Sequence, residues 1–275
     1  MGSRRGSLLI ELALLLALLL QFHRALVWVV RTWSEATYES WGFLPLAALA
    51  VGLVRLPPRR EVPSWPHLIG LVAVALFDLT TAPLGLNVLS AVLGVVGLQL
   101  WLAAFRTCRG RWYLQPQLWL GLLCLPVVYW ANVLFGFHLQ QLVSRLAAAC
   151  VGLYGVPVRA EGTMLHLPGV AMAVDSTCSG LKLLYSGVLF GMLLTAGSAA
   201  RWRPRLLFWS VLLLLLLGAN VVRVISLVVA QLQLGRPVGE LVHQGVGLVA
   251  FAMVCALGLL LWRRLGSGRA APCPA

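Results

Sequence analysis

Charge is scarce in this chain, and acidic charge scarcest of all. Only 11% of its 275 residues are charged and just 8 are Asp or Glu, against about 25% charged residues in an ordinary soluble domain. That excludes a disordered chain, which depends on charge for its solvation, and an ordinary cytosolic enzyme. Paired cysteines are missing too. The six, at positions 108, 124, 150, 178, 255 and 273, form no C-x-x-C and no zinc-ligand spacing, so neither a disulfide framework nor a structural zinc site is indicated. The chain has no internal repeat, and low complexity is confined to the run Leu212 to Leu217. It also lacks a basic helix face interleaved with aromatics, so the net charge of +13 does not point to nucleic acid.

What the chain has in abundance is apolar sequence, 60% hydrophobic with a mean hydropathy of +0.91. A helix crosses the hydrocarbon core with roughly 20 apolar residues, and about eight segments meet or approach that length. They run from Leu8 to Val30, Trp41 to Leu56, His67 to Ala82, Leu84 to Phe105, Gln117 to Phe135, Ser179 to Ala196, Leu206 to Gln231 and Gly245 to Trp262. The pattern predicts an all-α polytopic membrane protein with a single membrane-embedded domain over 1–265 and a disordered cytoplasmic tail over 266–275. Arg4 and Arg5 before a leucine run resemble a secretory signal, but the run ends in Gln21-Phe22-His23-Arg24 with no small-residue cleavage site. A retained signal-anchor helix is the expectation.

The basic residues orient the spans. Alternate connections carry Arg4 and Arg5; Arg55, Arg59 and Arg60; Arg106, Arg109 and Arg111; Arg201, Arg203 and Arg205; and Arg263, Arg264 and Arg269, fourteen of the 21 Lys and Arg. By the positive-inside rule these connections and both termini are cytoplasmic. The one long connection, Gly136 to Thr177, is then exterior. It opens with an amphipathic stretch, His138 to Leu153, with Leu139, Leu142, Val143, Leu146, Ala147, Cys150 and Val151 at helical spacing, which predicts a helix lying in the membrane interface. Short β-type runs between Gly and Pro follow, from Gly155 to Gly169, and predict a small flap.

Polar groups in or beside a membrane are costly and mark function or pairing. Cys178 stands where the exterior loop enters the sixth span. Arg223 lies inside the seventh, eight residues before Gln231, or about 12 Å along the helix. His243 stands at the outer start of the eighth. Topology therefore gathers a thiol, a fixed cation and a proton carrier on one face. A thiolate is favoured by a helix N-terminus or a neighbouring cation, His243 is able to take and return a proton near neutrality, and Arg223 is suited to a developing oxyanion. Backbone N–H groups of Ser179 and Gly180 are candidate further donors. Together these groups describe acyl transfer through a thioester, with no cofactor and no metal.

Each residue has a plainer alternative. Cys178 fits as a small buried apolar residue or, in an oxidising compartment, as a disulfide partner of Cys150. His243 fits as an interfacial residue. His138, His166 and His243 with Cys178 supply four zinc-ligand types, but without paired spacing. Asp175 is a candidate to orient His243 or cap the sixth span, and Asp78 a candidate partner for Arg223. A different class of function also fits: a transporter or envelope-assembly protein in which Arg223 binds an anionic lipid or solute.

Three runs carry a resemblance. Leu153-Tyr154-Gly155-Val156-Pro157-Val158-Arg159-Ala160-Glu161-Gly162, then Leu165-His166-Leu167-Pro168-Gly169, then Val174-Asp175-Ser176-Thr177-Cys178-Ser179-Gly180-Leu181 resemble the core of the exosortase/archaeosortase family. Asn220 with Arg223, and then His243, follow in that family's order, and the match is clearest over 147–250. The resemblance implies a polytopic membrane cysteine transpeptidase-protease whose Cys, Arg and His fall on Cys178, Arg223 and His243. It implies as partners exported proteins with a C-terminal sorting signal: a short Pro-Glu-Pro-like motif, one transmembrane helix and a basic cluster. Cleavage would occur on the outer face of the cytoplasmic membrane, and the new carboxyl end would pass to an acceptor, often linked to exopolysaccharide or the envelope. Exterior cations such as Arg159, Lys182 and Arg236 suit an acidic motif. Thr177 before the Cys, where many members carry a smaller residue, and Lys182, where Arg is common, depart from the pattern and leave the subfamily open.

Overall fold

The computed structural model describes residues 2–35, 42–55, 65–105, 116–195, 202–234 and 236–265. The expected disordered tail, 266–275, and most of the arginines between spans lie outside the described residues. Two compact units divide the chain, Met1–Tyr129 and Trp130–Ala275.

The first unit holds α1 (Gly2–Gln21), α2 (His23–Ser34), α3 (Phe43–Arg55), α4 (Trp65–Thr81), α5 (Asn87–Phe105) and α6 (Pro116–Leu123). Leu18 and Phe22 pack with Leu71 of α4 and Leu100 of α5 in its core. Outward-facing apolar residues such as Leu9, Leu16, Ile69 and Leu76 are more than half exposed, as a lipid-facing surface requires. The punctuated first segment is a helix pair, Leu9–Gln21 and His23–Ser34, bent by 65° at Phe22. Asp78, buried at 2% exposure, accepts hydrogen bonds from Gln21 Nε2 at 3.1 Å and Ser90 Oγ at 2.5 Å. Both carboxylate oxygens are thus engaged within this unit. These neutral partners satisfy the buried carboxylate within its own unit, as a buried polar group requires.

The second unit begins within α7 (Val127–Ala131) and continues through a π turn (Asn132–Gly136) into α8 (Phe137–Leu153). The sequence suggested a span ending near Phe135 and a separate helix from His138. Instead the break falls earlier, at 124–126, and the helix runs on from Val127 to Leu153. Pro126 accounts for the break, since proline lacks a donor and pushes the residue before it out of the helical region.

After α8 come β1 (Arg159–Glu161), β2 (Met164–Leu167) and β3 (Val170–Ala173), an antiparallel sheet in the order β1-β2-β3. The chain turns at Gly162-Thr163 and Pro168-Gly169. Leu165, Leu167, Met172 and Val174 share one face and pack on Val143, Ala147 and Val151 of α8, a stripe spaced by four residues that forms one helix face. The flap is therefore clamped to the bundle by alternating apolar residues, with His166, Ala171 and Ala173 on the exposed face.

A 3-10 turn (Ser176–Ser179) then leads into α9 (Leu181–Thr195), α10 (Trp202–Leu234) and α11 (Arg236–Arg264). α9 sits close on α10 because Gly187 and Gly191 face Leu216 and Leu212, small residues being what close helix approach in membranes requires. The 33 residues of α10 span about 50 Å, beyond the ~30 Å hydrocarbon core.

Among the described residues five helices are long and apolar enough to cross a membrane, or up to seven if each bent pair is one span. The chain is thus an all-α polytopic membrane protein with a small antiparallel flap. The remaining expected segment, Trp41 to Leu56, forms the short apolar helix Phe43–Leu53.

Candidate thiol site at the head of α9

Cys178 is 4% exposed and lies in the 3-10 turn between the flap and α9. Asp175 precedes the turn with extended backbone, and its Oδ1 accepts from the backbone N–H of Cys178 at 3.1 Å and from the Thr177 hydroxyl at 2.6 Å. Burial tends to raise the Asp175 carboxyl, but hydrogen bonds from Thr177 and Cys178 outweigh it and hold the group below the usual aspartate range. Asp175 therefore caps the 3-10 turn. The Thr177 hydroxyl oxygen lies 3.9 Å from Cys178 Sγ.

The expectation that a helix N-terminus faces the sulfur needs correction. α9 starts at Leu181, three residues beyond Cys178, and the Cys178 N–H is already engaged by Asp175. The buried Ser179 hydroxyl donates to Ser176 O at 2.7 Å and accepts from the Leu181 N–H at 3.4 Å, so this side chain joins the turn to α9. Gly180 has φ +83°, a left-handed conformation, and a Cβ there would lie 2.7 Å from Asn220 Cγ. Only glycine meets both conditions without strain.

Asn220, 2% exposed on α10, closes the site from below. Its Nδ2 donates to the Cys178 carbonyl at 2.9 Å. One turn further along the same helix face, half-buried Arg223 donates from Nη1 to the Thr177 carbonyl at 3.4 Å. Its guanidinium also lies along α11, where a Cβ on Gly247 would be 3.2 Å from Nε. Lys182 is exposed in the first turn of α9.

Cys178, Asp175, Asn220 and Arg223 are thus linked through two consecutive peptide groups. The backbone of His243 is helical, one turn before Gly247, but its side chain and that of Arg236 lie outside the described residues. Two contributors escaped the sequence: Thr177, whose hydroxyl and carbonyl both enter the site, and Gly247, whose missing side chain makes room for Arg223. The only advance signals were the Thr next to the Cys and a Gly four residues after the His.

The alternatives fare differently. Cys150 and Cys178 are not joined by a disulfide in the structure. His166 Nε2 is 3.5 Å from Glu161 Oε2 on the exposed sheet face, and His138 packs on Phe137 with ring centroids 6.0 Å apart. Among the described residues no three His, Cys, Asp or Glu side chains gather as metal ligands.

Fold and site together define a polytopic helical membrane protein with a buried thiol, braced by an arginine from a neighbouring span. A model of the transmembrane exosortase family matches residues 32–260, most of the chain, including every residue of this site. The chain belongs to the transmembrane exosortase family, which implies a transpeptidase or protease role. No curated protein and no solved structure matches it.

Proposed function

We propose that the protein is a membrane cysteine protease/transpeptidase that cleaves a C-terminal sorting signal of exported proteins through a thioester on Cys178. The observation that carries the reading is the hydrogen bond from Arg223 to the Thr177 carbonyl, which ties a membrane cation to the peptide unit that bears the thiol. Holding an arginine in an apolar span costs about 2.5–3.5 kcal/mol on insertion scales, and a transition state that develops negative charge is what such a residue is suited to.

In the proposed reaction His243 removes the thiol proton and the sulfur attacks the scissile carbonyl carbon. The carbonyl electron pair moves to oxygen, and Arg223 stabilises that oxyanion. As the carbonyl re-forms, the C–N bond breaks and His243 protonates the departing amine, leaving a thioester. An acceptor, water or an amine, then loses its proton to His243, attacks the thioester and releases the sulfur. Asn220 and Asp175 hold the Cys178 backbone throughout. Arg223 is delocalised, always charged and unable to act as the base itself.

The substrate in this reading is helix-anchored, with a short Pro-Glu-Pro-like motif and a basic cluster on either side of its helix, and Lys182 is a contact for an acidic residue of that motif. The arginine distribution supports an orientation with both termini cytoplasmic and the thiol on the outer face of the cytoplasmic membrane. One functional domain over 1–265 serves the activity. The test is processing of such a substrate by Cys178→Ala and Cys178→Ser in membranes. Both lose cleavage; wild-type rates in both would end the enzyme reading.

A further inference from the structure

The flap carries an open strand edge that runs directly into the thiol turn. β3 pairs with β2 through Met164↔Ala173, Leu165↔Met172, His166↔Ala171 and Leu167↔Val170. The backbone N–H of Val174 donates to Thr163 O at 2.8 Å, which makes Thr163 and Val174 a hydrogen-bonded pair in the same register. In an antiparallel ladder such pairs alternate. Met172 and Val170 therefore also point their backbone groups at β2, while Ala171 and Ala173 point theirs away from it. β2 is the central strand, so β3 is an edge. Among the described residues no backbone bond reaches the outer side of Ala171 or Ala173. Both have minimal side chains on the exposed face, so nothing of their own blocks an approaching chain.

We infer that this edge binds the substrate as a fourth strand, an extended polypeptide segment whose N–H and C=O groups pair with Ala171 and Ala173 and whose next residues reach Cys178. The groups on offer choose the occupant. Alternating N–H and C=O about 7 Å apart complement an extended polypeptide backbone, whereas a lipid acyl chain or a glycan does not reproduce that alternation. Position chooses the role, since only Val174 and the capped turn separate the edge from the thiol. The inference rests on Cys178 being the nucleophile for its catalytic meaning, but not for the binding itself.

One consequence is period-two recognition. Every second residue of the bound segment exchanges hydrogen bonds with β3, and the residues between them turn their N–H outward. Proline is tolerated at those intervening positions, as on any outer strand edge. A Pro-x-Pro segment therefore fits with x facing the edge, and the outward prolines block a further strand from adding.

The experiment uses the full-length Cys178→Ala protein in proteoliposomes, so that binding is read without turnover. The probe is a fluorescent synthetic peptide with a Pro-Glu-Pro segment preceded by four alanines, a leucine transmembrane helix and an arginine cluster. A single backbone N-methyl group is moved residue by residue over the alanines and the glutamate, since proline carries no N–H to replace. The expected result is a Kd weakened about tenfold at alternate positions and by less than about twofold between them. Ala173→Pro, which removes an outward N–H and leaves the β2 ladder intact, weakens the unmethylated probe about tenfold while the melting curve stays that of the parent. Equal effects at every position, unchanged binding by Ala173→Pro, or a dimer of this chain that Ala173→Pro dissociates would each overturn the assignment. Period-two binding without turnover by the wild-type protein would remove the nucleophile reading and leave this one standing. Turnover without periodicity would do the reverse.

Discussion

Arg223 donates from Nη1 to the Thr177 carbonyl and lies close against Gly247 of α11, where a Cβ would be 3.2 Å from Nε. A planar fork fills that slot, and a lysine ammonium does not. Arg223→Lys therefore keeps the charge and loses the geometry: turnover falls about 10²-fold or more, while binding of the anchored substrate changes far less. A raised KM with kcat intact would assign Arg223 to substrate binding instead. Asp175 gives a pH-dependent counterpart. Its carboxyl is held below the usual aspartate range by the Thr177 and Cys178 hydrogen bonds, so its contribution is fully present above the unfolded value of about 3.9 and fades as pH falls through the lower folded one. The turn is thus insensitive between pH 5 and 8 as far as Asp175 is concerned. As pH falls through that lower folded value the cap loosens, read as a drop in melting temperature in detergent. In Asp175→Asn that acid-dependent drop disappears; its persistence would trace the loosening to another group.

Among the elements, the junction from β3 through the turn to α9 depends most on single residues. Gly180 is left-handed and faces Asn220 with no room for a Cβ. Gly180→Ala combines backbone strain with a clash and costs about 1–3 kcal/mol, read as a lower melting temperature in detergent; an unchanged melting temperature would mean that the turn relaxes freely. Much of this level could be read from sequence. The amphipathic stripe Val143, Ala147 and Val151, the flap and the position of the thiol turn all follow from periodicity and from Gly and Pro punctuation. What the sequence did not indicate has physical causes. A π turn keeps α7 and α8 continuous where a span was expected to end near Phe135, and Pro126 moves the break upstream. The 3-10 turn delays the start of α9, because Asp175 and Ser179 offer the backbone local partners that compete with the helix.

Over the whole chain, helical spans follow from hydropathy because a bilayer leaves a backbone few ways to satisfy itself. Span lengths do not follow so directly: α10 and α11 outrun the hydrocarbon core, and the 13 residues of α3 cover only about 20 Å. Helix–helix pairing in the site is equally hidden from a linear reading, since Gly247 meets Arg223 only through the folded arrangement. The proposed orientation makes Cys108 cytoplasmic. An impermeant maleimide added to intact cells leaves it unmodified, and efficient labelling would reverse the topology. The most direct measurement, however, concerns Cys178. The protein is mixed with a helix-anchored substrate in proteoliposomes, quenched in acid, digested and analysed by mass spectrometry. The account predicts the upstream substrate fragment attached to the Cys178 peptide, released by hydroxylamine and absent in Cys178→Ala. Normal cleavage with no adduct on Cys178, or an adduct on another cysteine, would contradict it.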